Sequence, residues 1–190
     1  PMLKYAGFDG IVLEGASKNP AYLWVHDGEA EIRTADGIWG KTVPDAEDAI
    51  RSELDIPQAR VLTIGPAGEK IVRFAGIAVD YERYAGRKGG GAVLGSKKVK
   101  AIAVYGEGEI SIAKPSEHRM ALRECEEAVY GSLRKGMGFA NGTIGGYDIC
   151  NEFGDLPTKY GETGSWDKVR DLYTQFMNKY LIKNRACLGC

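Results

Sequence analysis

The spacing of the apolar residues changes near Ser111, and this change constrains the fold more than any other feature of the sequence. Before it, apolar runs of strand length are separated by turn signals such as His26-Asp27-Gly28. After it, apolar residues recur at helical spacing. The pattern predicts an α+β chain with two units, a β-rich unit over residues 1–111 and a mainly helical unit over residues 112–190.

The first unit is predicted to contain short strands and two short helices. The predicted strands cover residues 8–14, 21–25, 31–33, 60–64, 70–79 and 100–105, with a turn at residues 65–68. A helix is predicted from Pro44 to Leu54, because Thr42 precedes it, proline suits a first helical turn and the following acids complement the helix dipole. The second short helix is predicted over residues 92–99.

The second unit is predicted to contain two longer helices. The first begins at Lys114 and runs to about Arg134, with an apolar face that we expect to be packed. The second begins at Ser165, a residue type suited to a helix N-cap. Its apolar stripe is expected to face the core and comprises Trp166, Val169, Leu172, Tyr173, Phe176, Met177, Tyr180 and Leu181.

Composition excludes several classes of protein. The sequence has 25 Lys and Arg against 26 Asp and Glu, a net charge of -1, which argues against a general nucleic-acid binder. It has no apolar run of about 18 residues, so no membrane span is predicted. Four irregularly spaced cysteines do not resemble a disulfide framework, so we expect a reducing, cytoplasmic setting.

The isolated histidines and cysteines are predicted to have no chemical role. His26 and His118 are expected to be ordinary surface residues, while Cys125 and Cys150 are expected to be buried and inert. Two such histidines support no Ser–His–Asp or Cys–His arrangement.

A basic, glycine-rich segment lies between Arg83 and Lys100. It contains six cations and no acid, and it surrounds the glycine run at residues 89–91. Two interpretations have equal weight: a cradle for phosphate or pyrophosphate, or a glycine loop with solvated lysines. The segment matches neither a Walker A loop, because Ser96 stands where lysine is required, nor a Rossmann fingerprint.

The terminal pair Cys187 and Cys190 forms a CxxC motif. This spacing suits a metal, an iron–sulfur cluster or a redox disulfide. A closed metal site needs about four ligands, so we expect the chain to be an internal segment of a longer enzyme.

Several stretches, taken in order, resemble the tungsten-dependent aldehyde:ferredoxin oxidoreductase family. They are residues 3–15 (LKYAGFDGIVLEG), 38–41 (IWGK), 64–69 (IGPAGE), 85–87 (AGR), 91–97 (GAVLGSK), 100–104 (KAIAV), 156–159 (LPTK) and 185–190 (RACLGC).

The resemblance implies the fold and the cofactors. Residues 1–111 would be the C-terminal part of a β-rich, pterin-binding base domain, and residues 112–190 the beginning of a helical domain that ends at the first two cluster cysteines. The cofactors would be tungsten (or molybdenum) held by two pterins, Mg²⁺ bridging the pterin phosphates, and a [4Fe–4S] cluster. The longer enzyme would oxidise an aldehyde and pass electrons to ferredoxin, without nucleic acid or membrane, and its assembly as a homo-oligomer stays open.

The resemblance also assigns roles to individual residues. Arg83 and Arg87 would hold phosphate or pterin edges, Gly86 would allow close approach, and the Tyr84 carbonyl would contact Mg²⁺. Relatives often carry a small residue in place of Tyr84 and a glycine in place of Lys88. Cys187 and Cys190 would be the first two cluster ligands. The family's proton-handling carboxylate and histidine fall outside this chain, so no catalytic residue is assigned.

Two other functions stay open. The chain could belong to another branch of the same family, such as the catalytic subunit of benzoyl-CoA reductase, which uses the cofactor in the reducing direction. It could also be a non-catalytic module that binds a phosphate ligand.

Overall fold

A six-stranded mixed sheet forms the centre of the first unit. The structure is a computed structural model that describes residues 1–132, 142–172 and 177–182. The strands are β1 (Ala21–His26), β2 (Glu29–Thr34), β3 (Arg60–Thr63), β4 (Ile77–Val79), β5 (Arg83–Ala85) and β6 (Val99–Tyr105), in the spatial order β2-β1-β6-β3-β4-β5. Only β1 and β6 pair in parallel. The sheet and its helices confirm the predicted α+β class.

Four helices accompany this sheet. They are α1 (Met2–Tyr5), α2 (Val43–Leu54), α3 (Pro66–Glu69) and α4 (Gly90–Ser96). The Thr42 side chain caps α2 by accepting a hydrogen bond from the Asp45 amide, and Asp45 lies in the positive first turn. The prediction of α2 is confirmed, and the second predicted helix corresponds to α4 with a shift of about one turn.

The sheet is covered on both faces. Tyr22 and Trp24 of β1 point to one face, where they pack with Ile50 of α2 and Val61 of β3. Leu23 and Val25 point to the other face, which the N-terminal segment covers. A strand buried on both faces has a continuous apolar sequence, as β1 has.

Two predicted strands are wrong. Residues 8–14 pair with no strand; Ile11 and Leu13 instead pack on the second face of the sheet, while Val12 between them is 85% exposed. Residues 70–79 form a strand only from Ile77, and the predicted turn at residues 65–68 is instead the N-cap and first three residues of α3. In residues 8–14 the apolar residues cover the sheet without joining the backbone ladder, whereas Ile71 and Phe74 of the second segment are 54% and 83% exposed.

The chain divides into two compact units, residues 1–111 and residues 112–190. In its described residues, the second unit contains α5 (Pro115–Tyr130), α6 (Tyr147–Glu152) and short 3₁₀ turns at Gly142–Gly146, Lys159–Gly161, Val169–Leu172 and Asn178–Tyr180. The predicted helix from Ser165 is wrong over residues 165–172 and 178–180, which are irregular or form short 3₁₀ turns, whereas Met177 is helical. Residues 173–176 of that prediction lie outside the described residues.

The apolar faces of the second unit are exposed in the described part of the chain. None of the residues of α5, all of which are described, is buried. Cys125 is exposed and Cys150 is half-buried, so the prediction that both are buried is wrong. Val169 of the second predicted stripe is buried, but Tyr180 and Leu181 are not. Helical spacing identifies an apolar face without saying what covers it.

The described residues include no helix with the length and apolar character that crossing a membrane requires.

Candidate functional site

The four candidate cofactor residues lie at one edge of the sheet. Arg83 and Tyr84 belong to β5, the outermost strand, and Gly86 and Arg87 follow it directly. β5 pairs antiparallel with β4, so that Tyr84 lies opposite Ala78 and Arg83 opposite Val79. All residues from 82 to 88 are exposed. The edge therefore presents this basic segment to a ligand or to another part of the protein.

The segment has the charge and the open backbone that an anionic group requires. Within the described residues, neither Arg87 nor Lys88 makes an ion pair. A Cβ atom added to Gly86 would meet only the Tyr84 Cβ, at 4.0 Å. A guanidinium beside uncovered backbone suits phosphate oxygens. These residues fit the predicted contact with a pterin phosphate.

The glycine run at residues 89–91 has another explanation. A Cβ on Gly89 would lie 2.1 Å from the Arg73 carbonyl oxygen, and one on Gly91 would lie 2.4 Å from that of Gly76. The Gly91 amide donates to the Ala75 carbonyl at 2.9 Å. Close packing against the preceding loop therefore accounts for these two glycines. Within the predicted phosphate cradle, the exposed segment from Arg83 to Lys88 is still a candidate ligand-binding surface.

The backbone of this region includes left-handed residues other than glycine. Lys88 has a φ of 69°, where an L side chain is disfavoured. Asp80 and Tyr81, in the turn before β5, have φ of 47° and 68°. Such conformations persist when surrounding contacts hold them, and they are frequent at functional sites.

Sequence reasoning missed the contacts that hold the turn before β5. Glu47 of α2 accepts hydrogen bonds from the Tyr81 amide at 2.9 Å and from Arg51 Nη1 at 3.0 Å. Burial raises the pKa of Glu47, and these two donors oppose that effect. Glu47 and Arg51 are four residues apart on α2, but no local signal could have connected them to the turn, because Tyr81 lies more than thirty positions further along the sequence.

A second group of polar side chains lies on the β1–β2 hairpin. The ligand atoms of His26, Glu29 and Glu31 are all within 4.8 Å of one another. Glu31 is bound by His26 at 3.1 Å and by Arg33 at 2.9 Å, and these two partners lower the pKa of Glu31. His26 is half-buried and stacks on Trp24, with ring centroids 5.0 Å apart, so it is more than an ordinary surface residue.

The predicted cluster ligands Cys187 and Cys190 lie outside the described residues. Their assignment therefore stays a prediction.

Comparison with known proteins identifies the family. The family model described as aldehyde ferredoxin oxidoreductase, N-terminal domain, matches residues 1–106. The tungsten-containing aldehyde ferredoxin oxidoreductase of Thermococcus kodakarensis is 41% identical over 190 residues, which cover 99% of this chain and 31% of that protein. The chain belongs to the aldehyde ferredoxin oxidoreductase family, and it spans about a third of the length of the relatives it matches.

Other branches of the family are also similar. The WOR-like subunit of an aliphatic sulfonate oxidoreductase from Pyrococcus furiosus is 31% identical over 202 residues, covering 99% of this chain and 32% of that protein. The solved active-site complex BamBC of benzoyl-coenzyme A reductase, in complex with 1,5-dienoyl-CoA, superposes with a TM-score of 0.79 at 29% identity. The match covers all of this chain and 31% of the solved chain. The fold is therefore shared by relatives named for different substrates.

Proposed function

We propose that the full-length protein containing this chain is a tungsten-pterin oxidoreductase that oxidises aldehydes to carboxylic acids. In that reaction an aldehyde and water yield the acid, two protons and two electrons. When bound, a tungsten pterin would supply the two-electron chemistry, and a [4Fe–4S] cluster would supply the route for the electrons toward ferredoxin. The observation that carries the proposal is the exposed basic edge from Arg83 to Lys88, in a chain of this family.

In this proposal the edge segment binds and orients the phosphate side of the cofactor. Arg83 and Arg87 donate charge-assisted hydrogen bonds to phosphate oxygens, and Gly86 leaves room for close approach. The Tyr84 carbonyl oxygen is the proposed contact of Mg²⁺, a cation that prefers oxygen ligands. A backbone contact requires no particular side chain, so the tyrosine at this position is compatible with it.

The terminal thiolates have the second proposed role. Cys187 and Cys190 would provide two of the four thiolates that a [4Fe–4S] cluster requires. Ferredoxin is the proposed electron acceptor and the cytoplasm the proposed compartment.

Arg87→Ala in the full-length protein tests the role of the edge segment. A charge-assisted contact is worth about 1.5–3 kcal/mol, so pterin affinity should fall roughly tenfold to a hundredfold. Tungsten per chain, by elemental analysis, and pterin fluorescence after oxidation would both decrease when cofactor is limiting. The matched control is Lys97→Ala, which removes a half-buried cation from the longer basic stretch between Arg83 and Lys100, outside the edge segment; its Nζ donates to the Gly15 carbonyl. Unchanged tungsten content in Arg87→Ala would remove Arg87 from the site.

Gly86→Ala provides a second test with a different physical basis. The added methyl group meets only the Tyr84 Cβ at 4.0 Å, so the fold should tolerate it. A cofactor that approaches the Gly86 backbone would clash with the methyl group, so pterin content should fall while the unfolding temperature of the cofactor-free protein stays unchanged. Full cofactor content in this variant would show that the ligand does not approach at Gly86.

A reductase branch is the second candidate, and the match to BamBC at a TM-score of 0.79 favours it. Assays of the full-length protein with aldehydes and with aromatic CoA thioesters separate the two functions. A third outcome, a protein without tungsten and iron, would support a non-catalytic module that binds a phosphate ligand.

A further inference from the structure

The turn between β4 and β5 has a conformation that its own sequence does not favour. Asp80 and Tyr81 are consecutive and both left-handed, although neither is glycine. The three-residue connection from β4 ends at Arg83, the first residue of β5. The conformation of this turn therefore sets where the basic edge segment begins.

Side chains of α2 hold Tyr81 in this conformation. Glu47 accepts a hydrogen bond from the Tyr81 amide at 2.9 Å, and Asp48 accepts one from the Tyr81 hydroxyl at 2.6 Å. The Arg51 guanidinium lies 4.6 Å from the centre of the Tyr81 ring. Three residues of one helix therefore contact the amide, the ring and the hydroxyl of the same tyrosine.

Asp80 is held by Arg51 of α2 and by two residues of β3. Its carboxylate accepts hydrogen bonds from Arg51 Nη2 at 3.1 Å, from Arg60 Nη1 at 3.0 Å and from the Val61 amide at 3.2 Å. Arg51 also donates to Glu47 and to the Ala59 carbonyl, so it joins both halves of the network. Together these contacts fix the conformation of the turn. A strained backbone persists only where surrounding contacts hold it in this way.

Glu47 has no other role among the described residues. Its side chain is completely buried, and burying a carboxylate is unfavourable unless its partners compensate. In the described part of the chain those partners are Arg51 and the Tyr81 amide. The contact of Glu47 with the turn at Asp80 and Tyr81 therefore explains why this acidic residue of α2 is buried.

We propose that Glu47 and Arg51 are positioning residues for the cofactor-phosphate site. They fix the left-handed turn at Asp80 and Tyr81, and the turn places Arg83 and the residues after it in the register that receives the phosphate group. The inference rests on the proposed function, because it takes the edge segment to be the phosphate-binding element.

Glu47→Gln in the full-length protein tests this inference. The substitution keeps the size of the side chain but places an amide donor against Arg51, so the turn loses part of its support. Hydrogen exchange at residues 80–85 of the cofactor-free protein should become about tenfold faster or more. The rate at which the loaded protein releases pterin should rise by about the same factor.

Ile50→Val is the matched control. Ile50 is on the same helix and completely buried, but it packs in the core under the sheet. Losing one methylene group lowers the stability of the protein without touching the turn. Exchange at residues 80–85 and pterin release should therefore stay at the wild-type rates in this variant.

The result that overturns the inference is a Glu47→Gln protein that retains pterin as the wild type does, or one whose turn exchanges at the wild-type rate. Equal effects of Glu47→Gln and Ile50→Val would also overturn it, because they would indicate general destabilisation. A wild-type protein without pterin and tungsten would instead show that the proposed function has failed. The two failures are therefore distinguishable.

Discussion

Lys100 of β6 and Glu69 at the end of α3 form a buried ion pair, with side chains 0% and 6% exposed. The Lys100 ammonium group also donates to the Lys41 carbonyl at 2.9 Å, and the Glu69 carboxylate accepts from the Gly40 amide at 2.9 Å. The pair thus joins the loop before α2, the helix α3 and the central strand β6. Its loss should therefore affect the whole first unit.

Lys100→Met should lower the free energy of unfolding by about 3–5 kcal/mol, because it leaves Glu69 buried without its cation. The double variant Lys100→Met/Glu69→Leu should recover most of this loss, since apolar groups of similar volume can replace a buried pair. Urea unfolding measures both values. Lys114→Met is the control, because its pair with Glu117 is largely exposed and should contribute about 0.5 kcal/mol or less. A double variant no more stable than Lys100→Met would contradict the prediction.

Tyr22 should make stability fall at high pH. Burial raises the pKa of Tyr22 from 10.0 to about 12, and the hydrogen bond that its hydroxyl donates to Glu53 at 2.6 Å adds to the effect. Between pH 10.0 and about pH 12, the Tyr22 hydroxyl is deprotonated in the unfolded chain and protonated in the folded chain. The contribution of Tyr22 to the free energy of unfolding is therefore complete below pH 10.0 and is lost as the pH rises through about 12.

Tyr22→Phe isolates this contribution. Between about pH 9 and about pH 11.5, the stability of the wild type should fall by about 2 kcal/mol relative to the variant. Chemical unfolding of both proteins at the two pH values measures the difference. A difference that does not change with pH would show that the Tyr22 hydroxyl has no raised pKa.

Gly95→Ala should destabilise the packing of α3 against α4. The new Cβ would lie 1.9 Å from the Gly68 carbonyl oxygen, so the backbone of one helix must move. Overpacking of this kind costs about 1–3 kcal/mol, which should lower the unfolding temperature measurably. Gly10→Ala is the control, because its Cβ would meet no atom within 4 Å and should change stability by about 0.5 kcal/mol or less. Equal unfolding temperatures for the two variants would contradict the proposed close packing.

Lys88→Gly should stabilise the protein. The φ of 69° at Lys88 is unfavourable for a residue with a Cβ, and glycine adopts it freely. We expect a gain of roughly 0.5–1 kcal/mol in thermal or urea unfolding. Lys97→Gly provides the comparison, since Lys97 has a φ of −87° and glycine there should lower stability. Loss of stability in both variants would show that Lys88 is not strained.

Local chemistry in the sequence determined several elements. Thr42, Pro44 and Asp45 mark the start of α2 by capping, by a fixed φ and by charge, and each of these signals acts within one turn. The turn at His26-Asp27-Gly28 similarly defines the β1–β2 hairpin. The ordered motifs along the chain identified the family, because residues 1–106 match its N-terminal domain.

Only the tertiary structure decided how the remaining apolar and polar residues are used. Residues 8–14 have the composition of a strand, yet they cover the second face of the sheet, since an apolar run shows that a segment is buried but not which partner buries it. The edge strand β5 has no apolar pattern, and its position depends on contacts between Glu47, Arg51 and the turn at residues 80–82. Contacts between residues some thirty positions apart exist only after the chain has folded, so no local pattern could indicate them.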